Sequence, residues 1–398
     1  MFEKRALNKH GAMRVSVQLR SAKKALSERY RRSRRTAWYH DMGNLKKRKR
    51  EHLEVALDET EIRSKYFKKG PEVKEADVEY IKTLGPKDYF QYITELTDDT
   101  PERWGKPLDA SIFTSRPGAP PMPANFKAIY CKIRLMRSKL LTPVDTVGCA
   151  SLPITVSAQC GIPQMDIEPK NYRLQLLTAL MLSSQTKDEV NAQAMHNLMQ
   201  YSLEKLKIKQ GITLETLLRV EEKQLDSLIK QVGFHTRKAK YVKRMAEMLV
   251  ESFDSDIPTD LPGILSIPGV GPKMGILTLQ KAWGKMDGIG VDLHVDRLCK
   301  MWRWVDPNKC KTPEHTRKQL ESWLPRELWY EINPLLVGFG QVICMSRGKR
   351  CDLCLANDVC NAVDERMLNK KIKTDGRVSR GDFSRWMEYW ASIKNEDR

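Results

Sequence analysis

The apolar pattern of this 398-residue chain predicts an all-α protein. Apolar side chains recur at three- and four-residue intervals over several long stretches, which is the period of a helix with one buried face. Convincing strand-like alternation is absent. Helix-start residues also stand at the heads of these stretches, Asp260, Pro272 and Asp292 among them.

Residues 125–139 read as one amphipathic helix. Residues 171–183 carry Leu174, Leu177, Leu180 and Met181 and are apolar on most faces, so that helix is expected to be central and buried. Residues 238–252 place Tyr241, Met245 and Leu249 at i, i+4 and i+8, and residues 314–323 and 326–342 continue the helical period. After Cys360, Phe383, Trp386, Trp390 and Ile393 follow at roughly helical spacing. They predict a final helix docked by its aromatic face. Residues 51–115 hold short helical patterns without an assignable role, and Arg116 to Pro123 is a hinge by its proline content.

Charge is uneven along the chain. Of 69 basic and 50 acidic side chains, residues 1–50 hold 17 and 3, so most of the formal +19 belongs to the front end and the rest is mildly basic. The first 40 residues are acid-poor and rich in Arg, Ser and Ala, the composition of a mitochondrial transit segment. Arg31 to Arg35 and Lys46 to Arg50 follow as two basic clusters spaced like a bipartite nuclear-import signal; the alternative is a tail that binds nucleic acid non-specifically. These features predict both nuclear and mitochondrial locations, with the two import machineries as partners. Nine cysteines without a pairing pattern point to a reducing compartment. No run of 18 apolar residues occurs, so no membrane contact is expected.

Four cysteines, Cys344, Cys351, Cys354 and Cys360, fall at C-x6-C-x2-C-x5-C. Four thiolates within 17 residues can hold a [4Fe–4S] cluster or a zinc ion. Zinc sites more often pair two C-x2-C knuckles across a longer span, so the single run favours the cluster. The loop between the first two ligands carries Arg347, Lys349 and Arg350, cations suited to phosphate contact. Cys131, Cys149, Cys160, Cys299 and Cys310 read as reduced core residues.

The segment IPGVGPK, Ile267 to Lys273, reads as a hairpin between two helices. Asp260 caps the first, ending near Ser266. Gly269 and Gly271 allow positive φ and close approach of backbone to a phosphate. Pro272 suits the first helical position, where its missing N–H is not needed, and Lys273 follows at the second. A cation there opposes the helix dipole; an exposed lysine tolerates this, whereas a nucleophilic one uses the field to favour its neutral amine. Nineteen residues on, Asp292 in Val291-Asp292-Leu293-His294 is placed to cap another helix and to face Lys273. His294 reads as structural.

Together these residues resemble the endonuclease III family of helix–hairpin–helix DNA glycosylases, over roughly residues 125–362. With its basic front end the chain looks similar to the fungal nuclear and mitochondrial members. The resemblance implies two helical lobes with a DNA-binding cleft between them. A six-helix barrel with the hairpin would span 171–297, and an iron–sulfur lobe would join 125–170 to 298–362. Residues 1–50 would be a targeting region, 51–124 an extension, and 363–398 a tail. The implied activity is bifunctional, with removal of oxidised pyrimidines, or possible formamidopyrimidines, from damaged double-stranded DNA and a β-elimination nick, by a monomer. Lys273 matches the Schiff-base nucleophile and Asp292 the catalytic carboxylate. Gln185 matches the residue that fills the gap left by an extruded base, and Phe234 lies in the loop that wedges the opposite strand. Pro272 and Leu293 depart from the basic residue and the threonine usual at those positions. An adenine-mismatch glycosylase shares the scaffold but ordinarily lacks the lysine and adds a C-terminal domain. A non-catalytic DNA-binding iron–sulfur protein would need neither Lys273 nor Asp292.

Overall fold

A computed structural model describes residues 75–114, 118–368 and 381–396; the two basic clusters of the front end, and Arg116 and Pro117 of the expected hinge, lie outside them. Asp77 caps α1 (Val78–Thr83) through the Tyr80 N–H, and Pro86 opens α2 (Pro86–Thr97). After two short 3-10 turns come α3 (Phe126–Arg137), α4 (Pro143–Thr146) and α5 (Leu152–Gln159). Then follow α6 (Pro169–Ser183), α7 (Asp188–Glu204), α8 (Leu214–Arg219), α9 (Glu222–Leu228) and α10 (His235–Ser252). The hairpin joins α11 (Leu261–Leu265) to α12 (Pro272–Trp283), and α13 (Leu293–Met301), α14 (Pro313–Trp323) and α15 (Trp329–Val342) come next. The last two are α16 (Glu365–Leu368) and α17 (Ser384–Glu396). Among the described residues the only extended pairing is an isolated bridge between Leu141 and Asp382. No described helix is long and apolar enough to cross a membrane.

The helix apolar on most faces is central. Leu174, Leu176, Leu177, Leu180, Met181 and Leu182 of α6 are all buried, and α12, α10, α5, α7 and α2 pack around it. A second group forms on α15, which takes α13, α3 and α4 against its sides, with α14 on α13. Helix α3 buries Phe126, Ile129, Tyr130, Ile133 and Met136, the i, i+3, i+4, i+7 and i+10 positions of one face. Helix α5 packs on α6 and α7, although the resemblance groups it with the other lobe. At eight residues it is too short for its period to declare a partner.

Residues 75–114 are part of the body. Ile81, Tyr89, Phe90 and Ile93 enter the same core as α6, and the Tyr89 hydroxyl donates to the Ala282 carbonyl at 2.7 Å. Asp99 joins the two helix groups. Its carboxylate accepts from Lys281 of α12 and from Arg103, and from the Tyr330 hydroxyl of α15 at 3.1 Å. Burial works against that charge, yet Lys281 and Arg103 overcome it and hold the carboxyl well below its usual range.

The C-terminal reading holds. Phe383, Trp386, Trp390 and Ile393 are buried, and Lys139, just past the end of α3, sits 4.6 Å from the centre of the Tyr389 ring.

Because Lys281 and Arg103 are each only 8% exposed, Asp99→Asn should strand two buried cations. With about a third of the Asp99 side chain in water, the expected loss is near the lower end for a broken buried pair, about 3 kcal/mol. Urea denaturation of the full chain checks this; an unchanged midpoint would show that Asp99 does not join the two groups.

Candidate functional site

The hairpin sets the first functional group. Asp260 caps α11 by accepting from the Gly263 N–H at 2.7 Å, and the turn closes with Val270 N–H on the Ile267 carbonyl at 3.1 Å. Gly269 has φ +83°, and a Cβ there would lie 2.4 Å from the Tyr241 ring, so both conformation and space require glycine. Gly271 differs from expectation. Its φ of −107° and ψ of 175° are extended, and a Cβ would meet nothing within 4 Å. It supplies no special backbone angle; it leaves open space at the N-terminus of α12. Pro272 and Lys273 then occupy the first two helical positions.

Asp292 caps α13, its Oδ1 accepting from the Val295 N–H at 2.8 Å. The loop before it is held from two sides. The Ile289 N–H donates to Glu321 of α14 at 2.8 Å, and Asn333 of α15 donates to the Gly290 carbonyl. Lys273 and Asp292 line one cleft between the two helix groups, with a volume of about 1780 Å³. That exceeds a small-molecule pocket and suits a segment of polymer.

Other residues complete the lining, and of these Asp188 carried no local sequence signal. Asp188 heads α7, its Oδ2 accepting from Gln341 at 2.9 Å; burial raises its carboxyl against the pull of Gln341 and of Lys273. Cys149 is half-buried, packing against the core around α6 while it borders the cleft; burial pushes its thiol up and Lys273 draws it back. Burial, aided by Arg297 and Lys273, pushes His294 below its ordinary range against the attraction of Asp292. The His294 ring packs so closely on α15 that a Cβ at Gly340 would lie 2.7 Å from its Nδ1, in keeping with a structural role. Leu293 is 76% exposed in the cleft.

Gln185 follows α6 with φ 52° and is exposed in the same cleft. Phe234, the residue before α10, has φ 58° and is 54% exposed, which excludes a core aromatic; the Arg237 guanidinium lies 5.2 Å from its ring centre. Both non-glycine residues adopt a backbone region that carries strain.

The four cysteines face one small pocket walled by Trp302, Phe339 and Ile343. The Ala362 N–H points at the Cys360 sulfur at 3.4 Å and the Asp364 N–H at the Cys351 sulfur at 3.5 Å. Burial pushes the Cys344 thiol up to about 11, with Arg297 and Lys349 acting against it. Among the described residues no three His, Cys, Asp or Glu side chains close on a single point as one metal ion requires. The donor set still fits a polynuclear iron–sulfur group, with four thiols around an apolar pocket, N–H groups at two sulfurs and two cations alongside. The intervening loop departs from the three-cation finger. Arg350 pairs with Asp352 at 2.8 Å, and Lys349 donates to the Ala362 carbonyl at 3.3 Å. Arg347 is exposed on the cleft.

Comparison with known proteins shows the family. Residues 178–326 match the family described as HhH-GPD superfamily base excision DNA repair protein. The chain is 53% identical over 359 residues to endonuclease III homolog 2 of Saccharomyces cerevisiae, covering 86% of this chain and 94% of that protein. It is 49% identical over 318 residues to endonuclease III homolog 1 of the same yeast, covering 79% and 78%. A solved non-covalent endonuclease III–DNA complex is similar at TM-score 0.44 and 24% identity, covering 49% of this chain and 86% of that one. The chain belongs to the endonuclease III family of base excision repair DNA glycosylases.

The two glycines should behave differently. Gly269→Ala should lower stability by about 1–3 kcal/mol through overpacking and a disfavoured φ. Gly271→Ala should leave thermal melting unchanged and weaken DNA binding, because its open space faces outward. Equal loss of stability in the two variants would contradict this assignment.

Proposed function

We propose that this protein is a bifunctional DNA glycosylase and abasic-site lyase that removes oxidised pyrimidines. The observation that carries the reading is Lys273 in the first turn of α12, lining the same cleft as Asp292. An adenine-mismatch glycosylase or a non-catalytic DNA binder would not need an amine there.

A target base is buried in the duplex stack, so its nucleotide must be flipped out, at a cost of a few kcal/mol that damage lowers. Exposed Gln185 would fill the vacated space, and Phe234 would wedge the opposite strand. The neutral Nζ of Lys273 adds to C1′ as the glycosidic bond breaks, and the base leaves with the electron pair and takes a proton from solvent. Asp292, fixed by its cap to Val295, stabilises the positive charge that develops on the sugar. The C1′–O4′ bond then opens as a proton passes from the attached amine to O4′, leaving a protonated imine that acidifies the C2′ proton. Loss of that proton sends an electron pair toward C3′, and the 3′ phosphate departs with the C3′–O bond, nicking the strand. Water hydrolyses the imine and returns Lys273.

Cys344, Cys351, Cys354 and Cys360 would hold a [4Fe–4S] cluster. Bound there, it would cross-link residues 344–360 to one another, and these four cysteines would so fix the loop bearing Arg347. The composition of residues 1–50 supports delivery to nucleus and mitochondrion.

Borohydride should trap a covalent complex between the protein and duplex DNA bearing thymine glycol, and Lys273→Gln should abolish it; persistent trapping would place the nucleophile elsewhere. Asp292→Asn should slow base release about 10²-fold or more while leaving DNA affinity within a few-fold. Metal analysis of the purified protein should find about four irons per chain, and one zinc in their place would overturn the cluster assignment.

A further inference from the structure

Gln185 and Phe234 sit on separate loops, each with one residue in the left-handed region, and something must hold both. Lys238 of α10 reaches back under α6. Its side chain is buried, the residue being 5% exposed. Its Nζ donates to the Leu182 carbonyl at 2.7 Å, the Ser184 carbonyl at 2.6 Å and the Thr186 hydroxyl at 3.3 Å. An ammonium has three protons, and three oxygens receive them here, on both sides of Gln185. Thr186 Oγ1 in turn accepts from the Gly233 N–H at 3.2 Å, one residue before Phe234. The loops also touch directly, since a Cβ at Gly233 would lie 2.6 Å from the Gln185 carbonyl oxygen.

We propose that Lys238 is a positioning residue that clasps the Gln185 loop to the Phe234 loop, so that both enter the duplex as one preset unit. This rests on the duplex-invading roles given above to those two residues. The clasp is costly to keep. Burial pushes the Lys238 amine down to about 8, with Cys149 acting slightly the other way, and its oxygen partners here are neutral. A lysine needed only to end α6 could sit at the surface, where cations commonly meet the last helical carbonyls. At this position it bridges two loops. Loss of a proton would leave two donors for three oxygens.

The test compares Lys238→Met, Lys238→Arg and Gln185→Ala in the full chain. The substrates are a thymine-glycol duplex and a single strand bearing an abasic site, which has no opposite strand to invade. Lys238→Met should slow base release from the duplex about tenfold or more, since small misplacements of positioning groups carry losses of that order. It should leave borohydride trapping on the single strand within about twofold, and Lys238→Arg should restore most of the duplex rate. Hydrogen exchange should speed up over residues 182–186 and at the Gly233 amide while the rest of the chain keeps its protection. Parallel loss on both substrates, or unchanged exchange at those amides, would overturn the clasp. If Lys238→Met fails to fold, Thr186→Val carries the test, removing the shared hydroxyl and leaving both carbonyl contacts. It should give a smaller duplex-only loss, and no loss would count against the proposal. The underlying reading fails separately. Gln185→Ala without effect on the duplex rejects the gap-filling role, and wild-type protein that never traps rejects the lyase; a Gln185→Ala loss beside an inert Lys238→Met rejects the clasp alone.

Discussion

Helix α6 has no face it can show to water, and the rest of the arrangement follows from that constraint. Its apolar residues can be covered only by surrounding the helix, and α12, α10, α5, α7 and α2 do so. Once it is enclosed, two of these neighbours have little freedom. Helix α12 must start where the hairpin turns against Tyr241, which presents Lys273 to the cleft. Helix α10 must start where its own preceding loop meets the C-terminal end of α6, which brings Phe234 beside Gln185. Lys273, Gln185 and Phe234 are thus placed by hydrophobic burial, a force without directional preference. Direction comes from caps and tight turns.

The local parts of this scheme were legible in the amino-acid order. A cap such as Asp260 or Asp292 acts over three residues, a cysteine run over 17, and a buried aromatic stripe such as Phe383 to Ile393 over one helix; each declares itself in a short window. Groups whose meaning depends on distant partners were not. Asp99 looks like an acidic residue in a polar stretch until Lys281, 182 positions away, is brought to it. Lys238 reads as one of several cations on a basic helix, and Asp188 as a favourable first-turn carboxylate. Gly271 misled in the opposite direction, because a glycine two residues after Gly269 suggests a second unusual torsion where the chain is extended. The basic loop failed for a related reason, as charge counting sees Lys349 and Arg350 without seeing Ala362 and Asp352 beside them.

The surroundings of Lys273 hold opposing influences. Asp188 and Asp292 bring carboxylates to the cleft that Lys273 lines, while the N-terminal end of α12 brings partial positive charge. Asp188 is itself raised by burial, so it surrenders part of its charge more readily than an exposed carboxylate would. An acid that ionises reluctantly and a carboxylate fixed by a helix cap thus share one cleft, whose field depends on what fills it. Nucleic acid would bring phosphates and exclude water, changing both influences together.

Leu293 gives the cleft a further thermodynamic character. It stands 76% exposed between two polar residues, wetted for as long as the groove is empty. Any ligand that covers it releases ordered solvent from an apolar surface, which gives association a negative heat-capacity increment that charge neutralisation does not provide. Warming would therefore shift the balance between ionic attraction and desolvation, making complex formation more exothermic as temperature rises.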